Sequence, residues 1–306
     1  MGSPLVSIII ATFNRSNVLR LTIEAVRASS FADWEVIVAG DGCTDDTEEV
    51  VRSFQDPRIT FFNLPQSSGD QSAPNNAGLS RARGQYVAFL NHDDFWTKDH
   101  LERGLEAIRP GGIDLVAAIT VAIDHHDRAH LMGVSNSGSY EPWVFFPVSS
   151  WLMRRELAAR VPWRPGREIH LVPSQDWIFR AWRAGATMRS TGRITVISIG
   201  SNSRPGSYSG RHIEEYARLF ASLEDPHLIP RLLVPTALRL TADLHGATPG
   251  RMFARAFRLI GRNVLLALGI HPQAMWQILK LRRRGAILDQ MRRTRGLSPL
   301  PRGESR

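Results

Sequence analysis

Short apolar runs alternate with helix-like segments along the first hundred residues. The first run, Leu5–Ala11, is continuous and rich in β-branched residues, which is typical of a strand buried on both faces. The next segment, Asn17–Ser29, has apolar residues at helical spacing. The alternation continues and predicts strands at Trp34–Ala39, Ile59–Leu64 and Gln85–Leu90, and helices at Asp45–Phe54, Pro74–Arg83 and Lys98–Ile108. Such alternation builds right-handed crossover units, so the pattern predicts an α/β fold with an open, mostly parallel sheet flanked by helices.

Residues 114–200 follow a less regular pattern. Apolar runs predict strands at Leu115–Ile123 and Ile194–Ile199, and a helix near Asp176–Ala184. No internal repeat accompanies these elements.

Polar residues follow three of the four strands predicted in the first hundred residues. The segment Thr12–Arg15 follows the first strand, Asp41–Cys43 the second and Asn91–Asp94 the fourth. Ligands of open α/β sheets bind beyond the carboxyl ends of the strands. We therefore expect three strand ends to present polar groups at one edge of the sheet.

Asp93 and Asp94 follow directly on an apolar strand. Neighbouring carboxylates repel each other, and a divalent cation stabilises such a pair best. Hard oxygen ligands suit Mg²⁺ or Mn²⁺, with a diphosphate completing the coordination shell. The alternative interpretation is a solvated turn that caps the following helix.

The composition is that of a globular chain with unevenly distributed charge. The 306 residues are 43% hydrophobic and 22% charged and contain one cysteine, Cys43, which excludes a disordered polymer and a disulfide-stapled scaffold. The formal net charge is +9. Residues 1–230 have 23 Lys and Arg against 26 Asp and Glu, a net −3, whereas residues 231–306 have 15 against three, a net +12. The first part is thus nearly neutral, and the C-terminal part is strongly basic.

The basic C-terminal part predicts an amphipathic helix. Arg251, Arg255, Arg258 and Arg262 recur at helical spacing and share one stripe, and a second basic segment follows at Lys280–Arg284. Such a helix binds an anionic membrane surface, docks on a partner, or packs on its own domain. No nucleic-acid recognition motif accompanies the charge, so no nucleic-acid partner is expected.

Four segments together resemble a known family, and they occur in that family's order. They are SIIIATFNR (Ser7–Arg15), WEVIVAGDGCTDDT (Trp34–Thr47), PNNAGLSRARGQYVAFLNHDDFW (Pro74–Trp96) and SQDW (Ser174–Trp177). They resemble the opening strand, the Asp-Gly loop, the metal motif and the base motif of the inverting glycosyltransferases of family 2, which have the GT-A fold. The resemblance covers about residues 5–200. It implies metal-assisted transfer of a sugar from a nucleotide-diphospho sugar, most commonly a UDP-sugar, to a hydroxyl of a glycan or lipid-linked acceptor.

The resemblance also implies a role for each matching residue. Asp176 would take the proton of the acceptor hydroxyl, and Asp93 would ligate a Mn²⁺ or Mg²⁺ ion. The residues implied to bind the nucleotide or donor are Thr12, Asn14, Arg15, Asp41, Asn76, Asp94 and, in a later loop, Arg204. Trp151 and Trp177 are candidate acceptor contacts, because they lie next to motif segments and sugar faces stack on aromatic rings.

Three positions depart from the family pattern. Asn91 stands where the first aspartate of the metal motif is common, Gly40 where an aspartate precedes Asp41, and Gln175 where a glutamate precedes Asp176. These departures motivate an alternative function, a catalytically silent protein that binds a sugar or a partner. The presence of both Asp93 and Asp176 favours the enzyme. The absence of a Gln-x-x-Arg-Trp motif favours a non-processive one.

The sequence further predicts how the chain is divided and where it acts. We expect a GT-A domain at residues 1–210, with a nucleotide-binding half at 1–110 and an acceptor-binding half at 111–210. A basic helical extension at 211–295 and a disordered tail at 296–306 would follow. No apolar run reaches the roughly 18 residues of a membrane span, and the N-terminus lacks signal-peptide features. A cytoplasmic protein, peripheral on the inner face of the cytoplasmic membrane, is expected.

Overall fold

The computed structural model describes residues 2–124, 126–200, 206–208, 213–245, 261–281, 283–294 and 296–299. Its first hundred residues have the predicted alternation of strands and helices. In chain order these elements are β1 (Val6–Thr12), α1 (Ser16–Arg27), β2 (Trp34–Gly40), α2 (Thr47–Arg52), β3 (Ile59–Asn63), α3 (Ser72–Leu79), β4 (Tyr86–Asn91), β5 (Asp94–Trp96) and α4 (His100–Ile108). All four predicted strands and all four predicted helices of this region are confirmed, with ends that shift by a few residues.

The later part of the chain completes the sheet and adds helices. Its elements are β6 (Leu115–Ile123), β7 (Ala129–Met132), β8 (Trp151–Arg154), α5 (Arg155–Arg160), α6 (Pro173–Arg183), β9 (Met188–Ile199), α7 (Ile213–Ala221), α8 (Leu228–His245), α9 (Pro272–Leu281) and α10 (Ala286–Thr294). The sequence pattern missed β5, β7 and β8 because each has only three or four residues, too few to show a period.

Within the described residues, nine strands form one sheet in the order β3-β2-β1-β4-β8-β6-β9-β5, with β7 paired to β6. The strands β3, β2, β1 and β4 are all parallel, as predicted. Beyond β4 the pairing is mixed, because β8 runs antiparallel to both β4 and β6 while β9 runs parallel to β6. The prediction of a mostly parallel sheet therefore holds for the first half and gives way to a mixed sheet in the second.

The connection from β4 to β5 forces the sheet to curl. Only His92 and Asp93 separate the two strands, yet three other strands lie between them in the sheet order. Four strand-to-strand steps in a flat sheet would cover about 19 Å. The backbone from Asn91 to Asp94 spans at most about 11 Å. The β9–β5 edge must therefore approach the carboxyl end of β4, which makes that end the floor of a concave surface.

The core occupies both faces of the curled sheet. Neighbouring residues of β1 point to opposite faces, so Ile8 and Ile10 pack with helices α1 and α4, whereas Ile9 packs in a second cluster with α5 and α6. The second cluster contains Trp151, Trp163 and Trp177, whose ring centroids lie 5.3–6.2 Å apart. The two faces thus hold the strand ends rigidly where the polar residues leave the core.

Candidate functional site

A cavity of about 1000 Å³ lies beyond the carboxyl ends of β1, β2 and β4. Its floor includes Thr12, Asp41, Asp93 and Asp94, so the predicted meeting of three strand ends is found in the structure. The other walls come from the start of α6, the end of β9 and helices α9 and α10. The cavity is therefore closed by parts of the chain that are distant from one another in sequence.

Asp41 organises the loop that borders the cavity after β3. Its carboxylate accepts hydrogen bonds from Ser67 Oγ (2.8 Å), Ser68 N (2.8 Å), Ser68 Oγ (2.7 Å) and Gly69 N (3.0 Å). The adjacent Gly42 has a φ of +73°, and a Cβ there would lie 2.6 Å from Ser67 N. The backbone at Gly42 can approach the backbone at Ser67 because glycine has no side chain, and the Asp41 carboxylate then binds the loop at residues 67–69.

Asp94 is buried in a polar pocket at the floor of the cavity. Its Oδ2 accepts hydrogen bonds from Ser149 Oγ (2.5 Å) and Asn91 Nδ2 (2.8 Å). Burial and the nearby charge of Asp93 raise the pKa of Asp94 to about 6, although hydrogen bonds from Ser149, Ser198 and Asn91 act in the opposite direction. Asn91 thus supports Asp94 as a hydrogen-bond donor, a role that an aspartate at this position could not fill when ionised.

Asp93 is the carboxylate most available for a cation. It lines the cavity and is 7% exposed, and among the described residues none donates a hydrogen bond to it. No group of three or more His, Cys, Asp or Glu side chains suited to a metal ion occurs in the described part of the chain. Mg²⁺ is commonly held by one or two carboxylates and substrate phosphates rather than by an all-protein cage. The donor set therefore fits a cation that shares its coordination between Asp93 and a bound phosphate.

His92 links the floor of the cavity to the segment at 206–208. Its Nδ1 lies 3.2 Å from the carbonyl oxygen of Ala11 and its Nε2 lies 3.3 Å from Tyr208 Oη. Because a carbonyl only accepts, Nδ1 carries a hydrogen and donates to Ala11. Both rings line the cavity. The sequence predicted Arg204 of this loop as a site residue and did not predict Tyr208.

Two residues predicted to contact the nucleotide lie outside this cavity. Asn14 has a φ of +48°, and its side chain bonds the backbone N–H of Thr44 (2.8 Å) and Thr44 Oγ1 (3.2 Å). Arg15 is buried, donates to the carbonyl oxygen of Ser207, and has its guanidinium 4.8 Å from the Tyr208 ring centroid. Both line a neighbouring pocket of about 340 Å³ instead. Asn14 instead positions Thr44, and Arg15 positions Ser207 and Tyr208.

Asn76 has a structural role in place of the predicted donor contact. Its Nδ2 donates to the carbonyl oxygen of Trp163 (2.9 Å), and its Oδ1 accepts from the Trp163 N–H (2.9 Å). Both ends of the amide are therefore used, and Asn76 does not line the cavity. The residue joins α3 to the tryptophan cluster.

Trp151 and Trp177 are wrong as acceptor contacts. Both are 0% exposed, and their Nε1 atoms donate to the carbonyl oxygens of Phe146 (3.2 Å) and Val161 (2.5 Å). A ring enclosed by core residues presents no face to a sugar. Both residues are close to a motif in sequence, but their side chains point into the core and not into the cavity.

Asp176 lies in the first turn of α6, beside the cavity rather than in its wall. Its carboxylate pairs with Arg180 Nε at 2.7 Å, and the side chain is 13% exposed. The two preceding residues, Ser174 and Gln175, do line the cavity, and Gln175 Nε2 donates to Gln273 Oε1 of α9 at 2.5 Å. The structure thus brings the base motif to the cavity edge with Asp176 turned toward its own helix. Arg204 lies outside the described residues.

The C-terminal helices form a wall that the sequence did not predict. Residues 272–297 contribute side chains to the cavity, chiefly from α9 and α10. Leu288 of α10 packs on Gly166, where a Cβ would lie 1.8 Å from Leu288 Cδ1, and the Gly166 N–H donates to Asp70 Oδ2 at 2.9 Å. Arg292 NH1 donates to the carbonyl oxygen of Gly69 at 2.8 Å. No periodicity in the sequence links this region to the strand ends.

Replacing Asp94 by asparagine is expected to remove a pH-dependent loss of stability. Because the pKa of Asp94 is raised from 3.8 to about 6, the folded protein binds this proton more tightly than the unfolded chain. The free energy of unfolding therefore falls at this site as the pH rises from about 4 to about 6.5, and Asp94→Asn should show a smaller fall. Urea unfolding across this pH range, with a chelator present, measures the difference.

The matched control is Asp33→Asn, which alters an exposed aspartate before β2. It should leave the pH dependence of unfolding as in the wild-type protein. An Asp94→Asn variant with the wild-type pH dependence would contradict the assignment of this buried proton.

Comparison with known proteins shows which family of sequences the chain resembles. Residues 7–156 match the family model described as Glycosyl transferase family 2. The putative teichuronic acid biosynthesis glycosyltransferase TuaG of Bacillus subtilis (strain 168) is 41% identical over 105 residues, which cover 34% of this chain and 41% of TuaG. The UDP-Glc:alpha-D-GlcNAc-diphosphoundecaprenol beta-1,3-glucosyltransferase WfgD of Escherichia coli is 32% identical over 116 residues, 38% of this chain and 46% of WfgD. The chain spans about half the length of these curated relatives, or less.

Solved structures show the same fold. S. aureus TarS 1-349 in complex with UDP-GlcNAc superposes with a TM-score of 0.55 and 18% identity, over 71% of this chain and 66% of that chain. The mannosyltransferase PcManGT from Pyrobaculum calidifontis, in complex with GDP-Man and Mn2+, superposes with a TM-score of 0.52 and 14% identity, over 96% and 88%. At these identities the likeness concerns the fold alone, which is GT-A. Residues 7–156, about half of the chain, are similar in sequence to glycosyltransferase family 2.

Proposed function

We propose that this protein is an inverting, non-processive glycosyltransferase that moves a sugar from a nucleotide-diphospho sugar to an acceptor hydroxyl. The observation that carries the proposal is the meeting of Thr12, Asp41, Asp93 and Asp94 on the floor of one cavity of about 1000 Å³. A cavity of this volume accommodates a ligand of nucleotide-sugar size. The family match and the named glycosyltransferase relatives support the same reaction class.

The reaction is a single displacement at the anomeric carbon. The acceptor oxygen forms a bond to that carbon as the bond to the nucleoside diphosphate breaks, and a base removes the hydroxyl proton. In our proposal Asp41 orders the loop beside the nucleotide, and Asp93 holds a Mn²⁺ or Mg²⁺ ion together with diphosphate oxygens. The ion, when bound, stabilises negative charge on the leaving diphosphate.

Relatives suggest which substrates to test first. The printed names of WfgD and of the Campylobacter jejuni GalNAc(5)-diNAcBac-PP-undecaprenol beta-1,3-glucosyltransferase describe lipid-linked diphosphate acceptors, and the name of WfgD describes a UDP-Glc donor. A UDP-sugar donor and a lipid-linked acceptor of cell-envelope polysaccharide synthesis are therefore our proposed substrates. The domain limits at residues 110, 210 and 295 remain predictions.

We expect one nucleoside diphosphate to bind more tightly when Mn²⁺ is present, and Asp93→Asn to lose that gain. The carboxylate contributes the protein ligand, so binding measured without metal should change little. Calorimetric titration of UDP, GDP, ADP, CDP and TDP, each with and without Mn²⁺, measures both effects, and a gain of about tenfold or more is expected. Asp33→Asn should behave as the wild-type protein. If no nucleoside diphosphate gained affinity from the metal, the proposed enzyme would be refuted.

We expect Asp176→Asn to abolish sugar transfer while leaving donor binding near the wild-type value. The amide cannot take the hydroxyl proton, whereas the donor floor is formed by other residues. Arg180 Nε pairs with Asp176 Oδ2 at 2.7 Å, and no described side chain donates a hydrogen bond to Oδ1, so Oδ1 is the oxygen that takes the hydroxyl proton in our proposal. Arg180→Gln is the matched control and should retain turnover. Transfer by Asp176→Asn at the wild-type rate would exclude Asp176 as the base.

Membrane attachment through the basic helix remains a separate proposal. Arg251, Arg255 and Arg258 lie outside the described residues, and the guanidinium carbon of Arg262 lies 3.5 Å from the Trp143 ring centroid. In the parts of the chain that the structure describes, no helix has both the length and the apolar character needed to cross a bilayer.

The triple change of Arg251, Arg255 and Arg258 to Gln is expected to reduce sedimentation with anionic liposomes, because each arginine near such a surface contributes attraction. Changing the exposed Arg109, Arg160 and Arg193 to Gln provides a charge-matched control that should sediment as the wild-type protein. Equal sedimentation of both triple variants would contradict the proposal. Truncation of the tail is unsuitable, since residues 272–297 line the cavity.

A further inference from the structure

The charged side chains that line the cavity are mostly negative. Four carboxylates line it, from Asp41, Asp70, Asp93 and Asp94. Among the wall residues that the structure describes, Arg292 is the single lysine or arginine. A doubly negative diphosphate placed among carboxylates is repelled unless cations compensate them. One fixed guanidinium in this wall would therefore reduce the repulsion between the carboxylates and a bound diphosphate.

Arg292 is held in place by two backbone carbonyls. Its Nε donates to the carbonyl oxygen of Ser298 at 2.7 Å, and its NH1 donates to that of Gly69 at 2.8 Å. A guanidinium has five N–H donors, so most remain for another acceptor. Within the described ranges no carboxylate lies within ion-pair distance of Arg292. The side chain is thus oriented while its charge is left uncompensated by a carboxylate.

Two other described arginines of this region are arranged differently. Arg283 forms an ion pair with the buried carboxylate of Asp289. Arg293, the next residue along α10, is exposed, and its Nε bonds only the carbonyl oxygen of Asp289 at 3.3 Å. Neither lines the cavity. The position of Arg292 is therefore a specific feature of one face of α10.

Gly69 places Arg292 next to the predicted nucleotide site. The Gly69 N–H donates to Asp41 Oδ2 at 3.0 Å, while the Gly69 carbonyl accepts from Arg292. A single residue therefore connects the guanidinium to Asp41, which the family resemblance implies to be part of the nucleotide site. In a nucleoside diphosphate the phosphates follow directly on the ribose. Arg292 therefore lies at the loop that Asp41 orders beside the nucleotide in our proposal.

We infer that Arg292, supplied by the C-terminal helix α10, binds the diphosphate of the nucleotide donor. The inference rests on the proposed function, because it assumes that a nucleoside diphosphate occupies this cavity. Guanidinium binds phosphate through paired N–H groups, and such charge-assisted hydrogen bonds are stronger than neutral ones. Arg292 then supplies positive charge that the floor lacks, and part of the donor site lies more than a hundred residues beyond the matched family region.

The test compares UDP with uridine in the presence of saturating Mn²⁺. Arg292→Gln is expected to weaken UDP binding by about 10- to 100-fold, the loss of a charge-assisted contact, and to change uridine binding by less than about twofold. Arg292→Lys should retain part of the UDP affinity, because the ammonium keeps the charge. Arg293→Gln, which removes the same charge one residue away, should bind both ligands as the wild-type protein does. If the panel selects another base, that nucleoside diphosphate and its nucleoside replace UDP and uridine.

Two outcomes would overturn the inference. An equal loss of UDP and uridine affinity in Arg292→Gln would show that Arg292 only fastens the Gly69 loop. Unchanged UDP affinity in both Arg292→Gln and Arg292→Lys would show that it does not contact phosphate. A wild-type protein that binds no nucleoside diphosphate would instead refute the proposed function itself, so the two failures are distinguishable.

Discussion

The two-residue connection between β4 and β5 is the constraint on which the site depends. It joins strands that are four positions apart in the sheet, and so it can exist only if the sheet curls. The curl brings the end of β9 to the end of β4 and places Asp93 at the point of closure. A carboxylate pair at a strand end of a flat sheet would face water. Here it forms the floor of a concave site.

The sequence predicted the floor of the site because its position follows from topology alone. Parallel strands in right-handed units place their carboxyl ends at one edge whatever the details of packing, which located Thr12, Asp41, Asp93 and Asp94. The roles of Asn76 and Trp177 depend instead on which way a side chain points. Helical neighbours only a few residues apart face opposite sides, so closeness to a motif could not separate a core ring from a ligand contact. The wall from residues 272–297 arises from tertiary packing that leaves no period in the sequence.

Electrostatics divides the cavity into two chemically different surfaces. The floor combines buried carboxylates with hydroxyl and amide donors, and it raises the pKa of Asp94 because two carboxyl groups share a desolvated space. The opposite wall is largely apolar and amide-bearing, with Ile287, Leu288 and Gln290 among its residues. A floor of fixed negative charge favours ligands that arrive with cations, whereas the wall from α9 and α10 presents the guanidinium of Arg292 among apolar and amide side chains.

Helices α9 and α10 complete the cavity, but they lie outside the region that matches the family model. The family match ends at residue 156, and the curated relatives align over about a third of the chain. The wall built from α9 and α10 lies beyond the end of the family match. The floor residues Asp41, Asp93 and Asp94 lie within residues 7–156, whereas the wall lies outside them. Two proteins that share the sequence of this floor can therefore match the same family model and still differ in the wall that closes the cavity.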